Sequence, residues 1–322
     1  MRTLLLLAPA LAIAALTRTS AQCTPSVQKL ASDQKYEEAR TEAEALIKKN
    51  PTDDTALHCM GRLYLAQGKS GDAVDWFEKA VKANDKNPLH HLFLGDALGS
   101  EAQKANKFRQ PLLARRLKTE LERAAALDPN LVDAHEGLRQ FYLQAPGFMG
   151  GSQEKAKDEA ETILRLNPLR GHFALANNAQ HNKDLPTAES ELKAALAAAP
   201  DSSIAWFSLG AFYQNHARWQ DVFALYDRMI KERPDEILAR FQYGRAAAIS
   251  GENLERGERE LKAWLSSAPS TAPIVTQSGA HMRLAMIYER QGKKDVARTE
   301  YQTALSINPK NAEAKKLLDA LK

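Results

Sequence analysis

Eight histidines, two cysteines and scattered carboxylate pairs are the residues here that could do chemistry. A zinc centre needs ligands converging at about 2 Å on one ion, which a helix supplies through spacings such as H-E-x-x-H. That spacing is absent, and the adjacent His90 and His91 would leave a helix in different directions. No G-x-S-x-G turn presents a serine nucleophile. The glycine-rich Gly147–Ser152 lacks a following Gly-Lys-Ser/Thr, so it does not read as a phosphate cradle. Two readings remain for it: an irregular connector, or a protruding contact loop that offers Phe148 and Met149. Acidic pairs such as Glu37-Glu38 fall on polar helix faces, and no carboxylate pair has an apolar surround. No catalytic residue, metal site or cofactor is assigned, and a non-enzyme is expected.

These residues ride on recurring amphipathic helices, clearest at Ser203–Pro234. Trp206, Leu209, Gly210 and Tyr213 share one helical face; Val222, Tyr226 and Met229 share one face of a second helix, which Pro234 stops. Neither short helix can bury its stripe alone, but stacked pairs can. The spacing W-x2-L-G-x2-Y, followed by a small residue, an aromatic and a closing proline, resembles the tetratricopeptide repeat. The resemblance implies an all-α, right-handed superhelical solenoid of antiparallel helix pairs, about eight units plus a C-terminal cap helix. It also implies a protein or peptide partner held along the concave groove.

Used as a ruler, the anchor repeat divides residues 22–322 into units at about 26–53, 54–87, 88–130, 131–168, 169–201, 202–235, 236–269 and 278–311, with a cap helix over 312–322. Pro129, Pro168, Pro200, Pro234, Pro269 and Pro309 recur at intervals near about 34 residues. Small residues such as Gly61, Gly95, Gly210 and Gly244 belong where paired helices cross closely. Three insertions interrupt the pattern. In Ser100–Pro111, helix A is expected to run on until Pro111 breaks it. Pro146–Ser152 ends on a predicted N-cap, Ser152. Ser270–Gln277 reads as a loop.

The formal net charge is +4, and two of the cations, Arg2 and Arg18, lie in the leader. The near-neutral body, read as lacking a basic run with interleaved aromatics, predicts neither a nucleic-acid partner nor an anionic membrane surface. Arg2, the apolar run Leu4–Leu16 and the small residues Thr19-Ser20-Ala21 form an export signal over 1–21, cleaved near Ala21. The mature chain is then periplasmic or secreted, with no membrane span; a retained N-terminal anchor is the alternative. Such a compartment permits a Cys23–Cys59 disulfide. One buried small residue and one exposed thiol is the other reading.

His91, His135, His172 and His281 share the position of Trp206, which faces the neighbouring helix, so packing with a polar edge is expected. The family resemblance implies that the next residue points into the groove. That position holds His58, Leu92, Glu136, Phe173, Phe207, Phe241 and Met282. One turn on lie Asn177, Ala211 and Arg245, then Gln180, Gln214, Asn215 and Arg290. Aromatics flanked by amides and arginine suit an extended peptide or an amphipathic helix. The same phenylalanines could instead be core. A second functional reading makes the array an accessory component of an enzyme system, its small-ligand site built by the insertions. The Lys/Asn carboxylate clamp of chaperone-binding relatives is not matched.

Overall fold

The computed structural model describes residues 23–267 and 273–321. The expected export signal, Pro269 and the first part of the Ser270–Gln277 insertion lie outside them. Among the described residues there are seventeen α-helices, one 3-10 turn and no strand. They alternate as helix A and helix B of successive pairs: α1 (Pro25–Ser32) with α2 (Tyr36–Lys49), α3 (Asp54–Ala66) with α4 (Ser70–Ala83), α5 (Pro88–Lys104) with α6 (Gln110–Leu127), α7 (Val132–Gln144) with α8 (Gln153–Leu166), α9 (Pro168–His181) with α10 (Leu185–Ala198). The series continues with α11 (Ser203–Asn215) and α12 (Trp219–Glu232), α13 (Leu238–Ser250) and α14 (Leu254–Ser267), α15 (Ile274–Arg290) and α16 (Lys294–Ile307), then the single α17 (Ala312–Ala320). Contacts divide the chain into two compact units at Ala188/Glu189. No helix among the described residues is long and apolar enough to cross a membrane.

The regular pairs place left-handed backbone between their helices: Gln34 (φ 59), Gly68 (φ 72), Lys183 (φ 62), Ala217 (φ 53), Asn253 (φ 51) and Gly292 (φ 77), with a second such residue, Gly251 (φ 82), in the α13–α14 turn. The two pairs that carry the first two insertions depart from it. α5 does run on, to Lys104, but Pro111 lies in the first turn of α6 and starts that helix instead of breaking one. A first-turn proline costs nothing, because its missing N–H would have no helical partner anyway. Pro88 and Pro168 likewise open α5 and α9, behind Asn87 and Asn167, whose side chains accept from Leu89 N and Arg170 N at 3.1 Å each. Ser152 caps α8 by accepting from Lys155 N at 3.3 Å. The third insertion is partly helical: α15 begins at Ile274, directly after Pro273.

Each unit buries its own stripe. In the first, Val27, Ala39, Ala43, Met60 and Leu63 form one cluster, and Phe77, Phe93, Leu98, Leu113, Leu121, Leu138 and Phe141 lie within another. In the second, Trp206, Leu209, Tyr213, Tyr226, Met229, Tyr243, Leu261 and Tyr301 are buried. Cys23 and Cys59 are bridged, with their Cα atoms 5.5 Å apart, which ties the chain entering α1 to the buried face of α3.

Candidate binding faces

In the second unit, α11 and α13 are consecutive A helices. Phe207 is half-buried, its ring 6.2 Å from that of Tyr226; Phe241 is half-buried, 5.2 Å from Trp264. Each phenylalanine thus packs against helix B of its own pair while part of its side chain stays accessible, and Phe241 Cζ also reaches α15, 3.9 Å from where a Cβ on Gly279 would lie. Arg245 Nη1 donates to Gln214 Oε1 at 3.0 Å, which ties the two A helices together, and lies 3.4 Å from Gln242 Oε1. Asn215 is exposed beyond Gln214. Burial pushes the Tyr226 phenol pKa up, and the Arg245 guanidinium opposes that rise. The face therefore offers aromatic surface, amide donors and acceptors, and a guanidinium whose fork is only partly used. Arg290 instead donates to the carbonyl of Ile249 at 3.0 Å.

The first unit treats the equivalent positions differently. On α9, Phe173 is half-buried while Asn177 and Gln180 are exposed. The buried Arg139 of α7 donates to Asn177 Oδ1 (3.0 Å), Asn178 Oδ1 (2.8 Å) and Glu136 Oε1 (3.2 Å). Arg170 donates to Asp133 Oδ1 (2.7 Å) and Glu136 Oε2 (3.2 Å). Glu136 and Asn177 therefore join adjacent A helices. His58, Leu92 and Met282 are buried, so the position that the resemblance assigns to the groove is core at these three sites. The residues around each slot decide this. His58, for example, is covered by Phe77 and Phe93 at 5.3 and 4.9 Å between ring centroids.

A buried polar chain escaped the sequence reading. His90 Nε2 lies 3.0 Å from Asp54 Oδ2, and His90 Nδ1 lies 3.1 Å from His58 Nδ1. Asp54 accepts, so His90 donates from Nε2; burial lowers both histidine pKa values and favours neutral rings, and a neutral His90 then accepts at Nδ1 from His58. His58 and His90 are each 0% exposed, so no substrate reaches them; the chain fixes the register of α3 against α5. The available signal was a separation of almost one repeat between His58 and His90, with Asp54 one turn before His58.

The shared histidine slot is also more specific than polar-edged packing. His91 Nδ1 lies 2.7 Å from Glu120 Oε2 and its Nε2 2.9 Å from Asp85 O. His135 repeats this with Glu159 (2.7 Å) and Pro129 O (2.9 Å). Carboxylate and carbonyl both only accept, so both rings carry two protons, and the bond to the glutamate raises each pKa. His281 pairs with Glu300 at 2.7 Å, and Trp206 makes the carbonyl half of the clamp alone, donating to Pro200 O at 2.8 Å. Of the predicted contact loop, Phe148 is 88% exposed in the 3-10 turn Gly147–Met149, while Met149 is half-buried.

Paired helices in sequence order, close glycine crossings and a repeated ring-to-carbonyl clamp define a helical-repeat protein. A tetratricopeptide-repeat family model matches residues 28–88 and 60–105, so that part of the chain consists of tetratricopeptide repeats. A second model, described as the N-terminal domain of the ESX-1 type VII secretion system protein EccA1, matches residues 164–321. Among curated proteins, the chain is 23% identical over 207 residues to the Homo sapiens protein O-mannosyl-transferase TMTC1, covering 57% of this chain and 24% of that protein. It is 26% identical over 162 residues to the Arabidopsis thaliana TPR repeat-containing thioredoxin TTL4, covering 47% of this chain and 21% of that protein. The chain thus spans under a quarter of the length of either. Among solved structures, a thermophilic TPR protein of Thermus thermophilus is 21% identical with TM-score 0.48, covering 58% of this chain and 94% of that one. A tetratricopeptide repeat protein of Parabacteroides merdae is 15% identical with TM-score 0.46, covering 87% and 98%.

Proposed function

We propose that this chain is a non-enzymatic interaction scaffold that takes a protein segment on the A-helix face of its second unit, as a peptide or helix, and works outside the cytoplasm after export. The observation that carries the reading is the pairing of half-open Phe207 and Phe241 with the Gln214–Arg245 bridge on adjacent A helices. Half-buried rings are held in place before binding, so little side-chain entropy is lost on contact. Arg245 and the amides can fix a peptide backbone or a carboxylate. The match of residues 164–321 to a domain of a secretion-system protein supports an assembly role. The leader at 1–21 supports periplasmic or secreted placement, where the scaffold would serve envelope complexes. No membrane span and no nucleic-acid partner are part of the reading.

The direct test is affinity capture from an envelope extract with Arg245→Ala and Gln214→Ala, which leave the packed rings in place. Loss of a captured partner with an unchanged melting midpoint supports the face. Unchanged capture by both variants and by Phe207→Ala/Phe241→Ala refutes it.

A further inference from the structure

The two insertions of the first unit are both A-to-B connections, one leading into α6 and one into α8. The 3-10 turn Gly147–Met149 of the second packs against α6. Both follow the C-terminus of a helix A and precede the N-terminus of a helix B, and with the turn packed on α6 the two connections stand at the same end of the unit. Three large apolar side chains are open to solvent there: Phe108 (95% exposed), Leu112 (63%) and Phe148 (88%). They are set among cations. Between Glu101 and Glu120 the chain carries Lys104, Lys107, Arg109, Arg115, Arg116 and Lys118 and no acid. The near-neutral average conceals this run, with Phe108 inside it.

Half of these cations are committed. Lys104 donates to Gly68 O at 2.5 Å, Arg116 pairs with Glu78, and Lys118 lies 3.3 Å from Glu122. The side chains of Lys107, Arg109 and Arg115 make no ion pair or hydrogen bond among the described residues. The nearest acids along the two connections are Glu101, which accepts from Ser70 at 2.8 Å, and Glu154 in the first turn of α8.

We propose that this end of the first unit docks on an anionic lipid bilayer. Phe108 and Phe148 enter the boundary between headgroups and acyl chains, and Lys107, Arg109 and Arg115 meet the lipid phosphates. The exposures favour lipid over a protein. A ring almost wholly surrounded by water has no walls of its own, so a protein partner would need a matching hole for each tip. A bilayer closes around both without one, and its interface accepts aromatic side chains. Charge complementarity supplies the rest, because basic residues near an anionic leaflet add attraction that falls with salt.

The test uses the full mature chain and sedimentation with vesicles of phosphatidylcholine alone or mixed with phosphatidylglycerol. Binding is expected to the mixed vesicles only and to weaken with salt. It should fall about five-fold for each of Lys107→Gln, Arg109→Gln and Arg115→Gln, and about ten-fold or more for Phe108→Ala/Phe148→Ala. All these side chains are exposed, so the thermal midpoint should not move. A Phe148→Trp variant should shift its emission to the blue on mixed vesicles and be quenched by brominated acyl chains. Absence of binding to the mixed vesicles, or binding indifferent to the two phenylalanines, overturns the proposal. So does capture of an envelope protein through Phe108 and Phe148 without vesicle binding, which would make this a protein surface.

Discussion

Gly210 offers a sharp test of how the repeats are packed. A Cβ placed there would lie 2.2 Å from the hydroxyl oxygen of Tyr226 and 2.7 Å from its Cζ, about an ångström inside normal contact. Tyr226 is fully buried, so its ring has no free space to enter. Overpacking of this kind costs about 1–3 kcal/mol. Alanine repays about 1 kcal/mol through its better helix propensity. Gly210→Ala should therefore destabilise by about 1 kcal/mol net, a fall of roughly 2–4 °C in melting midpoint. The closest of these contacts is with an atom that can be removed. Tyr226→Phe deletes the 2.2 Å contact and leaves the 2.7 Å one, so the double variant should recover part of the loss. A double-mutant cycle by thermal and urea melts should read a coupling of about 1 kcal/mol. Gly171 is the harsher comparison, because its Cβ would lie 2.1 Å from Leu164 Cα and 2.4 Å from Leu164 N, in the backbone of α8. Backbone cannot rotate away, so Gly171→Ala should lose about 2 kcal/mol or more net. Gly147→Ala has nothing within 4 Å and should be silent. A Gly210→Ala midpoint at or above wild type, or additivity with Tyr226→Phe within about 0.3 kcal/mol, would refute the close helix crossing.

The His91–Glu120 and His135–Glu159 clamps make stability depend on pH. Their raised pKa values mean that their contribution is complete below the unfolded histidine range and is lost as pH rises through the folded one. Melting midpoints from about pH 6 to about pH 9 should fall less for Glu120→Gln/Glu159→Gln than for wild type; parallel curves would argue against imidazolium clamps. His58 and His90 act in the opposite sense, since their lowered pKa values withdraw stability as pH falls through the unfolded range. His90→Leu should lower the midpoint at neutral pH and reduce the acid-side loss, and an unchanged acid limb would count against the buried chain. Opening the Cys23–Cys59 bridge releases a loop of 36 residues. Cys23→Ser, or reduction with dithiothreitol, should cost about 2–4 kcal/mol by calorimetry, and wild-type behaviour under both would mean that the bridge does not constrain the chain.

The helix pairs were legible in the sequence because the pattern that encodes them is local. Trp206, Leu209, Gly210 and Tyr213 share a face by helical geometry alone, and no partner need be known to place them. Gly68 and Ser152 likewise announce a left-handed turn and an N-cap from their own chemistry. Pro111 was misread because a proline is a stop inside a helix and a start at its first turn, and only the position of the helix separates the two.

The binding faces depended on more than one repeat. His58, Leu92, Phe207 and Phe241 occupy one slot, yet two are core and two are half-open, because the cover comes from other helices, as Phe77 of its own pair and Phe93 of the next cover His58. The Asp54–His90–His58 chain and the Gln214–Arg245 bridge each join adjacent A helices, so both partners exist only once the repeats stack. Local periodicity in the sequence determined which residues are helical and which face each helix buries. Tertiary stacking alone decided which polar groups meet, which aromatic rings stay open, and that Phe108 and Phe148 stand at one end of the first unit, since these depend on distances between residues that no local pattern links.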